Sequence, residues 1–176
     1  MVDITVRPVR TSSDERRFID FIYTHYRDDE HWVPPLRIER RKLIDTRKNP
    51  FYRHAERELF LAEIGGNVVG RIGAVVNHNH NRRHGDRVGF FGFFESVDDP
   101  QVAGALFDAA RGYLRGRGMG AMRGPASPSV NYEYGLLVDG FDMPPAVMMP
   151  YNPACYPALI EGCGLRKARD LYAYLL

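Results

Sequence analysis

Glu95 closes a run of apolar residues, Gly89-Phe90-Phe91-Gly92-Phe93-Phe94-Glu95. A carboxyl group beside that much aromatic surface has a raised pKa, because burial disfavours the anion, and it then suits general-base chemistry near neutral pH. A strand-end glutamate also reaches solvent or an arginine, so both roles stay open. Four tyrosines follow further on, Tyr132, Tyr134, Tyr151 and Tyr156, interleaved with Asn131, Glu133 and Asn152. Hydroxyl, amide and carboxyl groups converging on an irregular segment are what a polar acceptor site needs. A packed tyrosine-rich loop has the same composition.

The stretch Asn77-His78-Asn79-His80-Asn81-Arg82-Arg83-His84 has the residue types of a metal site. On a strand His78 and His80 share a face, and His84 could fold back as a third ligand. Arg82 and Arg83 oppose a cation, and Asp86 is the one carboxylate nearby. The segment therefore reads as a solvated strand end and turn, and no metal is expected. Cys155 and Cys163 fall eight apart in a segment that reads as a helix, roughly 12 Å from one another at helical rise, beyond disulfide reach. Two reduced thiols are expected.

The elements that must position these groups can be read from patterning. Residues 3–9 alternate as a strand. Ser12 to Glu15 offers a capping box, and Phe18, Phe21, Ile22 and His25 continue it as a helix to about Tyr26. Trp32-Val33-Pro34-Pro35 is a turn, and 36–44 a basic second helix. Residues 59–64 and 68–76 are strands joined by Gly65-Gly66-Asn67, a hairpin signal. A third buried strand spans 88–97. Asp99-Pro100 caps a helix with its apolar face on Val102, Ala105, Leu106, Ala109, Ala110, Tyr113 and Leu114, ended by Gly116 and Gly118. Residues 121–126 are a short strand. An irregular stretch, 127–151, is long enough to suggest function. Asn152-Pro153 reads as the start of a helix ending at Gly164, and 171–176 as a closing strand.

The chain has 176 residues, 44% hydrophobic and 26% charged, with a net charge of +2. That length fits one domain with a core of its own, so residues 1–176 are read as a single domain. No apolar run approaches the roughly 18 residues of a membrane span, and no membrane partner is expected. An acid at position 3 and the lack of an apolar segment argue against a signal peptide, which makes the cytoplasm the expected location. The mild charge does not call for nucleic acid, although Arg111, Arg115 and Arg117 cluster near one helix end. They could equally hold a coenzyme phosphate.

The order of elements, the tail Asn152-Pro153-Ala154-Cys155-Tyr156 and Gly164-Leu165-Arg166-Lys167 resemble the GNAT (Gcn5-related N-acetyltransferase) superfamily. Within it the sequence is similar to bacterial GNAT-like proteins that share the blocks NHNHN, GFFGFFE, MRGP, GLLVDGFD and MMPYNP, here at 77–81, 89–95, 122–125, 135–142 and 148–153. Members often run well past this length, so the chain is expected to be one half of a larger protein, open to a homodimer or to pairing with a second domain.

The resemblance implies an α/β fold, mixed α+β, with a central, mostly antiparallel twisted sheet and helices on both faces. It implies an N-acyltransferase that moves an acyl group from acetyl-CoA or another acyl-CoA to a small-molecule amine. In such enzymes the pantetheine arm lies where the fourth strand splays from the fifth, and the pyrophosphate meets N–H groups at the start of the next helix. The cofactor contacts implied are Val97, Gln101, Val102, Ala103, Gly104 and Asn152. Glu95 would be the base and Tyr156 the acid, with Asn131, Tyr132, Glu133 and Tyr151 around the acceptor. The sequence departs from the pattern in two places. The pyrophosphate loop fits neither register, Gln101-Gly104-Leu106 or Asp98-Gln101-Ala103, and Asp98 and Asp99 put negative charge where an anion would dock. The family's acidic tyrosine position falls on Leu159, and Tyr156 lies one turn earlier. A GNAT-like domain without transferase activity, binding a small ligand or a partner domain, is the alternative.

Overall fold

The computed structural model describes residues 3–172. Its centre is a five-stranded sheet in the order β1-β2-β3-β4-β5, formed by Ile4–Pro8, Ala55–Ile64, Asn67–Asn77, Val88–Ser96 and Ala121–Arg123. The first four strands pair antiparallel, and β5 joins β4 in parallel. The hairpin between β2 and β3 turns on Gly65 and Gly66, both at positive φ (56° and 81°), where a side chain would be strained.

Alternation along the strands sorts side chains onto two faces. Phe60, Ala62, Ile72, Ala74 and Val76 face α4 (Pro100–Gly116), which buries Val102, Leu106, Phe107, Ala110 and Leu114 against them. Leu59 and Leu61 face α1 (Ser12–His25) and its Phe18 and Ile19. The mixed α/β architecture expected from the resemblance is thus the observed one. Beyond it lie α2 (Arg37–Ile44), a 3₁₀ turn (Pro50–Arg53), α3 (His78–His84), the two-residue strands β6 (Ala126–Ser127) and β7 (Glu133–Tyr134), and α5 (Tyr156–Gly162).

Several sequence expectations are corrected. The cap of α1 is Thr11, whose hydroxyl accepts from Asp14 N–H while the Asp14 carboxylate accepts from Thr11 N–H. The capping box thus sits one residue before Ser12–Glu15. Residues 78–84 form α3 rather than a strand end and turn. The Asn77 side chain caps it at His80 N–H (3.1 Å), and Gly85 ends it at φ 63°. An exposed, wholly polar turn of helix has no apolar periodicity to reveal it. Asn152 does not open α5. The helix starts at Tyr156, and Cys155 and Cys163 flank it as its caps. Leu171 and Tyr172 are not in a strand, and the rest of the expected closing strand, 173–176, lies outside the described residues.

β4 and β5 pair only from Val88–Ala121 to Phe90–Arg123. Further on, residues 124–127 run against β4, and Phe93 N–H donates to Ser127 Oγ (2.8 Å). Gly92 makes this approach possible, since a Cβ there would stand 1.8 Å from the Ala126 carbonyl oxygen. Gly92→Ala should therefore cost about 1–3 kcal/mol in urea unfolding. Gly112→Ala, in α4 with nothing within 4 Å of an added Cβ, should be neutral or stabilising by up to about 1 kcal/mol. Equal stability of the two variants would refute the close contact.

Candidate active site

The site is built around an irregularity in β4. The register with β3 runs Gly73↔Gly92 and then Arg71↔Glu95, so Phe93 and Phe94 together oppose Ile72. This bulge puts Phe93 at φ 52°, a conformation that costs a non-glycine residue about 1–3 kcal/mol. The bulge sends Phe93 into the core beneath α1 and Phe94 into the core beneath α4. Glu95 follows directly, and its carboxylate accepts from the Tyr26 hydroxyl (2.6 Å) and the Tyr156 hydroxyl (2.8 Å) on the same oxygen. The other oxygen stands 3.7 Å from Arg71.

Arg71 is 4% exposed. It donates to the Phe18 carbonyl (2.7 Å) and lies over the Phe18 ring. Burial raises the Glu95 pKa, with Arg71 and the two tyrosines pulling the other way. The carboxylate is therefore more basic than an exposed one, as a general base requires. Burial beside Glu95 pushes both phenols far above their ordinary value, so Tyr26 and Tyr156 stay protonated donors. The Tyr156 oxygen also receives Ser96 N–H (2.8 Å) and lies 3.0 Å from His25 Nε2. Burial, and then the Arg71 charge, lower the His25 pKa to about 4, which leaves a neutral imidazole at physiological pH.

Glu95 and Tyr156 meet at a small cavity of about 60 Å³, which has room for a few waters and not for a whole substrate. Glu95, Tyr156, Glu133, Tyr151 and Asn152 all line it, together with Arg71 and Arg40. Glu133 forms a two-point ion pair with Arg40 of α2. The Tyr151 hydroxyl donates to Asp29 (2.8 Å). The Asn152 side chain is spent on the loop, accepting from Leu137 N–H (2.7 Å) and donating to the carbonyls of Leu137 and Pro153. Asn131 is exposed and Tyr132 donates to Asn49 (3.4 Å), so neither reaches the cavity. Leu159, on which the family's tyrosine position falls, is buried in the core.

The residues at the start of α4 do not fit a diphosphate. Pro100 has no N–H, Gln101 N–H donates to the Asp99 carboxylate (2.8 Å), and Ala103 N–H donates to the Asp99 carbonyl (3.1 Å). Val102 and Ala103 are fully buried, and Gly104 is half-buried with nothing within 4 Å of an added Cβ. Val97 N–H is taken by Val69, and its carbonyl by Ser96 Oγ and Asp99 N–H. An anion here would have to displace a carboxylate cap. Of the nearby arginines, Arg111 holds the Cys163 carbonyl and Asp108, and Arg117 pairs with Glu56. No cluster of three metal-binding side chains occurs among the described residues, and no described helix is long and apolar enough to cross a membrane.

Sequence reading missed His25 as more than a helix-face residue, and it missed Tyr26, Arg71 and Arg40 altogether. Arg71 had a signal, a lone charge in the apolar run Val68–Val76. A buried strand tolerates a charge only where a partner awaits it.

The fold is that of the GNAT acetyltransferases. It matches an aminoglycoside acetyltransferase from an uncultured soil metagenomic sample over 98% of this chain and 96% of that one, at TM-score 0.57 and 10% identity. It also matches a ribosomal-protein-alanine N-acetyltransferase from Brucella melitensis biovar Abortus over 100% and 98%, at TM-score 0.51 and 18% identity. Among curated proteins the chain is 42% identical over 173 residues to a protein named bacterial ceramide synthase from Caulobacter vibrioides, covering 98% of this chain and 45% of that protein. It is 41% identical over 169 residues to protein YghO of Escherichia coli, covering 96% and 43%. The chain thus spans less than half the length of these relatives. No protein-family profile matches it.

The neutral burial of His25 has a measurable consequence. An unfolded imidazole titrates near 6.5 and the folded one near 4, so between these values only the unfolded chain takes up the proton. Stability should fall as pH drops from 6.5 through 4, by on the order of 2–3 kcal/mol from this group. Urea midpoints of wild type and His25→Gln at pH 7 and pH 4.5 test this. Equal pH dependence in the two would refute it.

Proposed function

We propose that this domain is an N-acyltransferase that moves an acyl group from a thioester, acetyl-CoA or another acyl-CoA, to a primary amine. One observation carries the reading: a buried carboxylate of raised basicity, Glu95, shares a hydrogen bond with a phenol, Tyr156, at the floor of a cavity. A base and an acid held that close suit a reaction in which a nitrogen loses a proton while a sulfur gains one. Glu95 takes the proton from the attacking amine as the N–C bond forms. Tyr156 gives its proton to the sulfur as the C–S bond breaks, and recovers it from Glu95 across 2.8 Å.

The acceptor we favour is an amine on an amphipathic lipid backbone. The relative named ceramide synthase supports it, as do Val147, Met148 and Met149, exposed on the loop that reaches the cavity at Tyr151. Placement in the cytoplasm and pairing with a second domain of a longer protein belong to the same proposal. The carboxylate-capped start of α4 favours a second reading, a domain that keeps the fold and binds a ligand or partner without acyl transfer.

Purified protein incubated with acetyl-CoA or palmitoyl-CoA and a panel of amines that includes sphinganine and an aminoglycoside should release free thiol. Glu95→Gln should lower kcat about 10²–10⁴-fold at unchanged donor affinity, and Tyr156→Phe about 10–100-fold. Calorimetric titration with both thioesters, alongside Asp99→Gly, separates the two readings. Binding gained only by Asp99→Gly would overturn the transferase reading.

A further inference from the structure

Amide formation from an amine that arrives protonated, RNH3+ + R′CO–SR″ → R′CO–NHR + R″SH + H+, releases one proton more than the thiol retains. The transferase reading, on which this inference rests, closes a cycle between Glu95 and Tyr156 for one proton only. The other must leave a carboxylate whose side chain is only 13% exposed and opens to the cavity that the reacting amine fills. Its neighbours limit the routes. Arg71 is a cation already. Tyr26 is 3% exposed, stacked on Trp32 at 5.2 Å, and its hydroxyl is spent on Glu95. Ser96 offers Tyr156 a backbone amide and, at 3.3 Å, a backbone carbonyl, neither of which titrates.

Among the described residues, the remaining titratable partner of the Tyr156 hydroxyl is His25 Nε2 at 3.0 Å. His25 sits at the last turn of α1 and lines a second, open groove of about 560 Å³ with Asp28, Asp29, Glu30, His31 and Tyr151. We propose that His25 is the proton exit of the site, linking Glu95 through the Tyr156 hydroxyl to that groove. The ammonium gives its first proton to Glu95. Glu95 passes it to the Tyr156 oxygen as the Tyr156 proton moves to His25 Nε2, and the imidazolium then releases the proton on its other nitrogen to water in the groove. The neutral amine then attacks, and its second proton follows the internal path to the thiol. No oxidant or further reactant is needed.

The surroundings of His25 keep the imidazole a carrier rather than a store. Phe21 stacks on it at 5.3 Å, Tyr26 meets it edge-on, and the Tyr156 ring lies parallel at 6.3 Å. Arg71 disfavours its cation from the buried side. On the groove side, the Asp28 and Glu30 carboxylates are 86% and 88% exposed and can receive what it releases. Asp29 is engaged by Tyr151 and by the His31 and Trp32 amides.

Exchange of the Tyr156 hydroxyl proton with water, followed by NMR on the purified protein without substrate, reads this path directly. His25→Gln, which keeps a hydrogen-bonding side chain but cannot shuttle a proton, should slow exchange at least about 10-fold. In His25→Ala, added imidazole should restore it. Exchange equally fast in wild type and His25→Gln, whether resolved or too rapid to resolve in both, would overturn the proposal, as would failure of imidazole to act on a folded His25→Ala. With palmitoyl-CoA and sphinganine, His25→Gln should lower kcat about 10–100-fold at neutral pH with KM unchanged. Absence of turnover by wild type would count against the transferase reading and leave the exchange result to decide the path.

Discussion

The pairing of Arg71 with Glu95 across β3 and β4 is the contact on which the remaining site geometry depends. The two stand opposite one another in register, and each is largely withdrawn from water. At 3.7 Å their attraction is that of a loose ion pair, and it does not by itself repay the desolvation of two charges. Arg71 has a further deficit, because its Nε lacks a partner among the described residues. What repays the carboxylate is the second layer, the two phenols on one oxygen. What repays the guanidinium is the Phe18 carbonyl and ring. A charged centre assembled at that cost is poor material for stability alone, since apolar residues of similar volume would fill the space at least as well.

The bulge and the long loop follow from that centre. Without the extra residue in β4, Glu95 would fall out of register with Arg71, because a one-residue slip in a strand exchanges its faces. The loop from 127 to 151 then has to cover the opened edge of β4. It does so with few backbone pairs, among them Ala126↔Tyr134, Ser127↔Glu133 and Gly135 N–H to the Pro125 carbonyl (3.0 Å), and relies largely on side chains. Arg40–Glu133, Tyr151–Asp29 and Asn152–Leu137 tie it to α2, to the end of α1 and to itself. Its polar residues, which read from sequence as acceptor contacts, thus work at least in part as fasteners.

Legibility of the sequence followed the same division. Elements with an apolar face could be read, because burial imposes a period on them: α1, α4, the β2–β3 hairpin and β4 all lie close to where patterning puts them. Features set by polar partners could not. The cap at Thr11 and Asp14, the polar helix α3 and the use of Asn152 as a loop tie each depend on which donor happens to lie within 3 Å, and no period records that. The proximity of Glu95 and Tyr156 was suggested by resemblance, whereas His25, Tyr26 and Arg71 reach the same point from elements remote in the chain. Only Arg71 left a mark, as a charge where the strand pattern called for an apolar residue.

The end of β4 and the start of α4 carry opposite messages about the thioester. At Glu95 the strand holds a carboxylate and a phenol at hydrogen-bond distance beside a cavity, the two groups that the proposed transfer would use as base and acid. A few residues on, Asp99 turns the start of α4 into a self-capped terminus whose partial positive charge is already satisfied, and Asp98 beside it adds a second negative charge. A donor bound in the family manner would therefore need its anionic part held elsewhere, or would have to exchange places with the Asp99 carboxylate. The second route costs about one capping interaction, roughly 1 kcal/mol, plus the repulsion of two carboxylates near a diphosphate. That is small enough for a tight donor to overcome and large enough to weaken a poor one. On the proposed transfer, the carboxylates at α4 would favour donors whose acyl chain adds binding of its own, in keeping with the exposed Val147, Met148 and Met149 on the loop that leads to the cavity.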